Sequence, residues 1–320
     1  MAAQPLISVC IPAYNHERYV ERTIRSILVQ TYGRIELLVV DDGSKDATWS
    51  VIQSLRGVCE DRFERVVFET QPNQGTCTTL NRLFSLSRGD FVYLIASDDE
   101  AVPSALEELQ RAIASGDFVL AACDNAIIDA DSNQVAWDGA QNIRPYGEGD
   151  YKTFWAYLLR NQRLTRPDFR FGSYPSLVRG NYVPNGYLIR RTALQAAGPL
   201  TKEAPLEDWW LHLQLSKLGP YVFVDKPLFR YRWHGANTAA NAARMNALSR
   251  QTLLCELSRV RAAGDRERLA LLNRESPIRR RDLIRLGGLL ALWDEADFGH
   301  KRRILRIFNR TFVIKDKINP

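Results

Sequence analysis

Five apolar runs, about 25–30 residues apart and separated by amphipathic stretches, restrict this chain to few folds. LISVCI (6–11), ELLVV (36–40), RVVFE (65–69), FVYLIA (91–96) and FVLAAC (118–123) lack strict alternation, so each reads as a strand buried on both faces. Between the first two, Val20, Ile24, Ile27 and Leu28 share one helical face, with Asn15 placed as an N-cap. Further helices are predicted from Asp46 through Val51, Ile52 and Leu55, over 76–87, and after Pro103 with Leu106, Leu109 and Ile113 inward. This repeated β-α order predicts an α/β fold with a mostly parallel central sheet and helices on both faces.

Composition narrows the class further. The 320 residues are 45% hydrophobic and 10% aromatic with a net charge of only +6, which excludes a disordered chain. The longest bilayer candidate, residues 286–293, is far too short to span. MAAQPLISVC has no basic flank before an apolar core, so no signal peptide is expected and the chain reads as cytoplasmic. Cys10, Cys59, Cys77, Cys123 and Cys255 are scattered and never form CxxC. They read as small buried hydrophobes in a reducing compartment, with no disulfide framework or zinc site.

Periodicity weakens over 126–185. A strand is predicted at 187–191, a short helix ending at Gly198, a helix over 209–218 closed by Gly219-Pro220, and a strand over 221–225. From about 240 the chain is rich in Ala, Leu and Arg at helical spacing, with a break at Ser276-Pro277. The expected organisation is a domain over 1–238, with halves 1–125 and 126–238, and a basic helical extension over 239–320. Residues 251–320 hold 16 Lys+Arg against 9 Asp+Glu, a net of +7, while the first 250 hold 27 against 28. An anionic partner is therefore expected for the extension alone.

Ligands of open parallel sheets bind beyond the carboxyl ends of the strands. The loops there are Pro12-Ala13-Tyr14-Asn15, Asp41-Asp42-Gly43-Ser44, Asn73-Gln74-Gly75 and Ser97-Asp98-Asp99-Glu100. Each carries acids, amides or an aromatic ring suited to ligand contact. No GxGxxG follows the first strand, which argues against a dinucleotide-binding dehydrogenase.

The string ISVCIPAYNHERYVERTIRSILVQTYGRIELLVVDDGSKDAT resembles the opening of inverting family 2 glycosyltransferases of the GT-A fold. NQGTCTTLNRLFSLSRGDFVYLIASDDE, LEDWWLHLQLSKLG and FRYRWHG continue that resemblance in order, over roughly residues 5–235. It implies a Rossmann-like nucleotide-binding half over 1–125 and an acceptor-side half over 126–238. Pro12, Ala13, Tyr14, Asn15, Asp41, Asp42, Asn73, Gly75, Ser97 and Asp98 would then line the nucleotide-sugar site, with Tyr14 against the base. By themselves, Asp41-Asp42 also read as a turn and cap. Asp98 and Asp99 resemble the family's metal carboxylates for Mg²⁺ or Mn²⁺, with helix-capping acids as the alternative. Where many members have an Asp two positions before Asp98, this chain has Ala96. Glu207-Asp208 matches the family's ED element, which implies that Asp208 is the general base and Glu207 its neighbour, against a plain capping role. Arg230, Arg232 and His234 would close over the diphosphate, the arginines through charge-assisted hydrogen bonds and His234 on phosphate or metal, with a plain structural role as the alternative for His234. Trp209, Trp210 and Trp233 read either as sugar-stacking rings or as core.

The expected partners are a nucleotide-sugar donor, most simply a UDP-sugar, and a saccharide or lipid-linked saccharide acceptor in surface polysaccharide or O-antigen assembly. Arg279–Arg281, Lys301–Arg303 and Arg306 alternate with apolar residues, which reads as an anionic membrane surface for peripheral docking or as solvated helices packed on the domain. No motif points to nucleic acid. Two rival classes remain at this level: a non-catalytic nucleotide-sugar-binding scaffold, motivated by Ala96, and a sugar nucleotidyltransferase. The latter calls for a Gly-rich phosphate loop where this chain has PAYN.

Overall fold

In the computed structural model, the first apolar run becomes β1 (Ile7–Ala13), followed by α1 (Val20–Leu28) with Val20, Ile24 and Ile27 buried. The alternation continues through β2 (Ile35–Asp41), α2 (Thr48–Ser54), α3 (Arg56–Arg62), β3 (Arg65–Thr70), α4 (Thr76–Leu86), β4 (Phe91–Leu94), the short β5 (Glu100–Ala101), α5 (Ala105–Ala114) and β6 (Leu120–Ile128). The irregular middle supplies β7 (Gln134–Trp137), β8 (Ile143–Pro145), α6 (Phe154–Asn161), α7 (Tyr174–Leu177), β9 (Leu188–Arg190), α8 (Arg191–Ala197), α9 (Glu207–Leu215) and β10 (Tyr221–Arg232). The C-terminal part forms α10 (Ala242–Ala262), α11 (Arg266–Glu275), β11 (Arg279–Leu286), β12 (Leu290–Asp297), β13 (His300–Ile307) and β14 (Arg310–Ile318). The structure describes residues 4–161, 164, 168–235, 237 and 241–277, and the backbone of β11–β14.

The chain divides into two compact units. One holds Met1–Ser173, Tyr182–Lys202 and Gln214–Asn237; the other holds Tyr174–Asn181, Glu203–Leu213 and Thr238–Pro320. The last segment groups with two short stretches of the preceding body.

In the first unit the strand order is β3-β2-β1-β4-β9-β6-β10-β5, with β7 paired to β6 and β8 to β7. Pairing is parallel across β3-β2-β1-β4 and between β6 and β10, and antiparallel at β9, β5, β7 and β8. Parallel pairing thus spans the predicted β-α repeat, and the sheet as a whole is mixed. Its core joins Ile7, Val9, Ile11, Leu37, Val39 and Tyr93 to Ile24 and Ile27 of α1 and to Leu106 and Leu109 of α5. Each such aliphatic side chain contributes about 1.5–3 kcal/mol on burial. A second cluster packs Trp137 against Trp233, Tyr157 and Phe154, with the two indole rings 4.9 Å apart. Trp233 is therefore core, as are the buried Trp209 and Trp210.

In the second unit, α10 packs on the segment that begins α9, and α11 on α10 and the 174–179 stretch. The buried Thr252 Oγ1 accepts the Leu206 N–H at 3.1 Å, and Tyr174 Oη donates to the buried Glu256 carboxylate at 2.6 Å. Arg179 pairs with Glu275 at 3.1 Å, and the Arg259 guanidinium lies over Trp210. The predicted helical extension holds as far as α11. Beyond it, β11-β12-β13-β14 form an antiparallel meander, a correction of the helical reading. The sequence carries a strand signal that the helical reading passed over: Gly, Phe-Gly and Asn recur about every ten residues between runs rich in Leu, Ile, Val and Phe. No helix among the described residues is long and apolar enough to cross a membrane.

Candidate active site

Because β1, β2, β3 and β4 run parallel, the loops that follow them open at one edge of the sheet. Local hydrogen bonds shape each of these loops. Asn15 does not cap α1, which begins after Tyr19 without a side-chain cap. It takes a positive φ of 54°, and its Oδ1 accepts the Lys45 N–H at 2.8 Å, tying the first loop to the second. Pro12 and Ala13 close β1, and Tyr14 projects outward, 44% exposed. Its ring is available to a planar ligand.

Asp41 and Asp42 are buried and shape the loops. Asp41 accepts the Ser44 N–H at 3.2 Å, the Ser44 hydroxyl, and Thr70 Oγ1 at 3.0 Å. Asp42 accepts Gln71 Nε2 at 2.8 Å and the N–H groups of Gln74 and Gly75 at 2.9 and 2.8 Å. Burial opposes the charge on Asp42, but these donors outweigh it and hold the carboxyl below the ordinary range. Gly43 allows the close approach: at φ 72°, a Cβ there would lie 2.8 Å from the Asn73 backbone nitrogen. Gly75, also at positive φ, opens α4, and Asn73 is exposed beside it. Asp41 therefore makes the turn contacts of its own loop, while Asp42 ties that loop to the one that opens α4.

At the end of β4 the carboxylate of Asp98 sits between two imidazoles. His234 Nε2 lies 3.2 Å and His16 Nε2 3.9 Å from Asp98 Oδ2. The ligand atoms of all three residues lie within 4.8 Å of one another. Buried Ser97 contributes its hydroxyl, 2.8 Å from His16 Nδ1. Burial works against the Asp98 charge, but the imidazoles of His234 and His16 outweigh it and keep the pKa low. The donor set fits a divalent cation: one ionised carboxylate and two nitrogen donors converge. His234 reaches this place because β10 runs parallel to β6 and antiparallel to β5, which sets Arg230 opposite Glu100 and brings the strand's end to the 97–100 loop.

Three expectations change here. The strand predicted over 221–225 is longer, and β10 continues through Arg230 and Arg232. Arg232 is fully buried, and its guanidinium goes to Asp98 O at 2.6 Å, Glu100 Oε1 at 2.6 Å and Asp129 O at 2.8 Å, with Tyr19 stacked over it. It braces the 98–100 loop and is not directed at a diphosphate. Asp99 accepts the Arg232 N–H at 2.8 Å, and its other oxygen is buried without a partner, so it lies outside the cation cluster. Burial and the neighbouring Asp98 charge push its pKa well up, favouring the neutral acid.

The second unit holds the other predicted pair. Asp208 opens α9, its two oxygens accepting the Trp209 N–H at 2.6 Å and Asn181 Nδ2 at 2.8 Å. Burial raises its pKa against the pull of those donors, and burial with the Asp208 charge pushes Glu207 up to about 7. Among the described residues, the buried Oδ1 of Asn181 has no partner.

The sequence model described as Glycosyl transferase family 2 matches residues 8–173. The chain belongs to this glycosyltransferase family. The chondroitin synthase of Escherichia coli is 37% identical over 241 residues, covering 73% of this glycosyltransferase and 30% of that synthase. The mannosyltransferase PcManGT of Pyrobaculum calidifontis, solved with GDP-Man and Mn²⁺, superposes with a TM-score of 0.58 at 14% identity, over 80% of this chain and 65% of that one. Staphylococcus aureus TarS 1–349 with UDP-GlcNAc gives 0.53 at 17% identity, over 78% and 66%. These likenesses establish the GT-A fold of this glycosyltransferase. In the candidate cation cluster, His16 is the residue that sequence reasoning passed over. Its only signal was its place directly after PAYN, and a lone histidine near a strand end is ordinarily structural.

Proposed function

We propose that this glycosyltransferase inverts configuration while moving a sugar from a nucleotide-diphosphate donor, a UDP-sugar first, to an acceptor hydroxyl with a divalent cation, Mn²⁺ or Mg²⁺. The observation that carries the reading is Asp98 held between two imidazoles at the sheet edge where Tyr14 is exposed. Tyr14 lies against the nucleobase, and Asp98 with His234 holds the cation. When bound, the cation neutralises charge on the departing diphosphate. Asp208 removes the proton from the acceptor hydroxyl, and burial raises its pKa, which makes it a stronger base than an exposed carboxylate. Asn181 and the Trp209 N–H orient that carboxylate.

The UDP preference is supported by the TarS likeness and GDP by the mannosyltransferase likeness, so both belong in the assay. Kinship to a chondroitin synthase supports polysaccharide assembly as the setting, with bacterial surface polysaccharide or O-antigen as the product class and a saccharide or lipid-linked saccharide as acceptor. We place the enzyme at the inner face of the plasma membrane, docked on anionic lipid through its basic last segment. The test is nucleotide-diphosphate release from UDP-, GDP- and dTDP-sugars with Mn²⁺ or Mg²⁺ and membrane extract. Turnover with one donor is expected. Donor binding without turnover would instead favour a scaffold, and full activity in Asp208→Asn would overturn the base assignment.

A further inference from the structure

The cation cluster contains one member that the proposed function leaves without a task. We propose that His16 is a direct cation ligand, so that His16, Asp98 and His234 form a two-imidazole, one-carboxylate site selecting Co²⁺ and Mn²⁺ over Mg²⁺. The proposal rests on the metal-assisted reading above and adds to it a third ligand and a selectivity.

Two donors that each sit about 2.1 Å from one ion lie no more than about 4.2 Å apart. Both imidazole–carboxylate separations, 3.2 and 3.9 Å, are inside that limit, and the two imidazole donors, within 4.8 Å of each other, need close by no more than about 0.6 Å to meet it. The orientation of His16 is held from three sides. Its backbone N–H meets Thr48 Oγ1 at 2.8 Å, and its ring stands edge-on to Tyr19 at 6.0 Å and to His234 at 6.3 Å. The tautomer that donates from Nδ1 to Ser97 Oγ leaves the Nε2 lone pair facing Asp98. A partner on the far nitrogen is how ligating histidines are usually aimed. Among the described residues, the ion-pair partners of Asp98 are these two imidazoles, with no Lys or Arg to take their place. Imidazole donors suit Co²⁺ and its neighbours, whereas Mg²⁺ demands oxygen ligands and gives up water reluctantly.

The test uses the full chain, stripped with EDTA and titrated calorimetrically with MnCl₂, CoCl₂ or MgCl₂ alone. Pulsed EPR of the Mn²⁺-loaded protein reads the coordinated nitrogens directly. Wild type is expected to bind Co²⁺ and Mn²⁺ more tightly than Mg²⁺ and to show two imidazole nitrogens. His16→Gln, folded by circular dichroism, should show one nitrogen and lose about 10-fold or more in Mn²⁺ affinity. His16→Asp, which exchanges nitrogen for oxygen, should narrow the preference for Co²⁺ over Mg²⁺. A single nitrogen in wild type, or Mn²⁺ and Co²⁺ affinities unchanged in His16→Gln, overturns the proposal. Turnover that persists in EDTA overturns the metal-assisted reading itself. Mn²⁺-dependent turnover with a one-nitrogen spectrum overturns only the role of His16.

Discussion

At the scale of single residues, environment decides what each acid does. Asp42 is buried and Asp208 only partly so, both near loop or helix starts, yet their pKa values move in opposite directions. Asp42 has three strong donors and is held ionised, whereas at Asp208 burial wins over two. Asp208→Asn should therefore lower kcat for sugar transfer by about 10²–10⁴-fold with the fold intact, read by nucleotide release and circular dichroism. Glu207 makes a prediction about stability. Its folded pKa of about 7 exceeds the ordinary 4.5, so the folded state holds the proton more tightly. Its contribution is present below pH 4.5 and is lost as pH rises through 7. Denaturant titrations should show wild type losing on the order of 2 kcal/mol relative to Glu207→Gln across that window, after allowance for solvent screening at a partly buried group. Gly43→Ala is a third case: φ of 72° and a 2.8 Å approach to the Asn73 nitrogen should cost about 1–3 kcal/mol in a thermal melt.

At the scale of elements, two pieces position the chemistry without performing it. β10 carries Arg232 into the sheet, where one guanidinium ties the 98–100 loop to the turn after β6. Arg232→Ala leaves Glu100 buried without that partner and should cost about 3–5 kcal/mol, measurable as a drop in Tm. The second piece is α10, which packs on the segment leading into α9. Tyr174→Phe removes a hydrogen bond to the buried Glu256 carboxylate and should cost about 1–3 kcal/mol. A chain stopped at residue 240 loses Thr252 and Glu256 together, so it should lose Asp208-dependent transfer before any effect on docking can be read.

At the scale of the whole molecule, the positive excess is more localised than the extension. Residues 276–320 hold 11 Lys+Arg against 5 Asp+Glu, while 251–275 hold 5 against 4. The excess belongs to the β11–β14 segment, so a chain stopped after α11 is the cleaner probe of membrane docking. It should bind phosphatidylglycerol vesicles more weakly than the full chain, with the difference erased by high salt; equal binding would remove the docking role. Much of the chain was legible in advance for local reasons. A run such as ELLVV and the Val20–Leu28 face carry their own period, so β2 and α1 needed no tertiary knowledge. The DDGS, SDD and ED strings likewise announced where acids would cluster. The C-terminal meander escaped because its Leu- and Arg-rich residues fit either period, and only the turns between strands separate the two. The sequence by itself determined the β-α alternation, the loops at the sheet edge and the acids within them, because each depends on neighbours a few residues away. Only the tertiary structure decided that His16 faces Asp98, that Arg232 is a brace and that α10 supports the start of α9. Those contacts join residues some 40 to 130 positions apart, through strand order and register that no local pattern encodes.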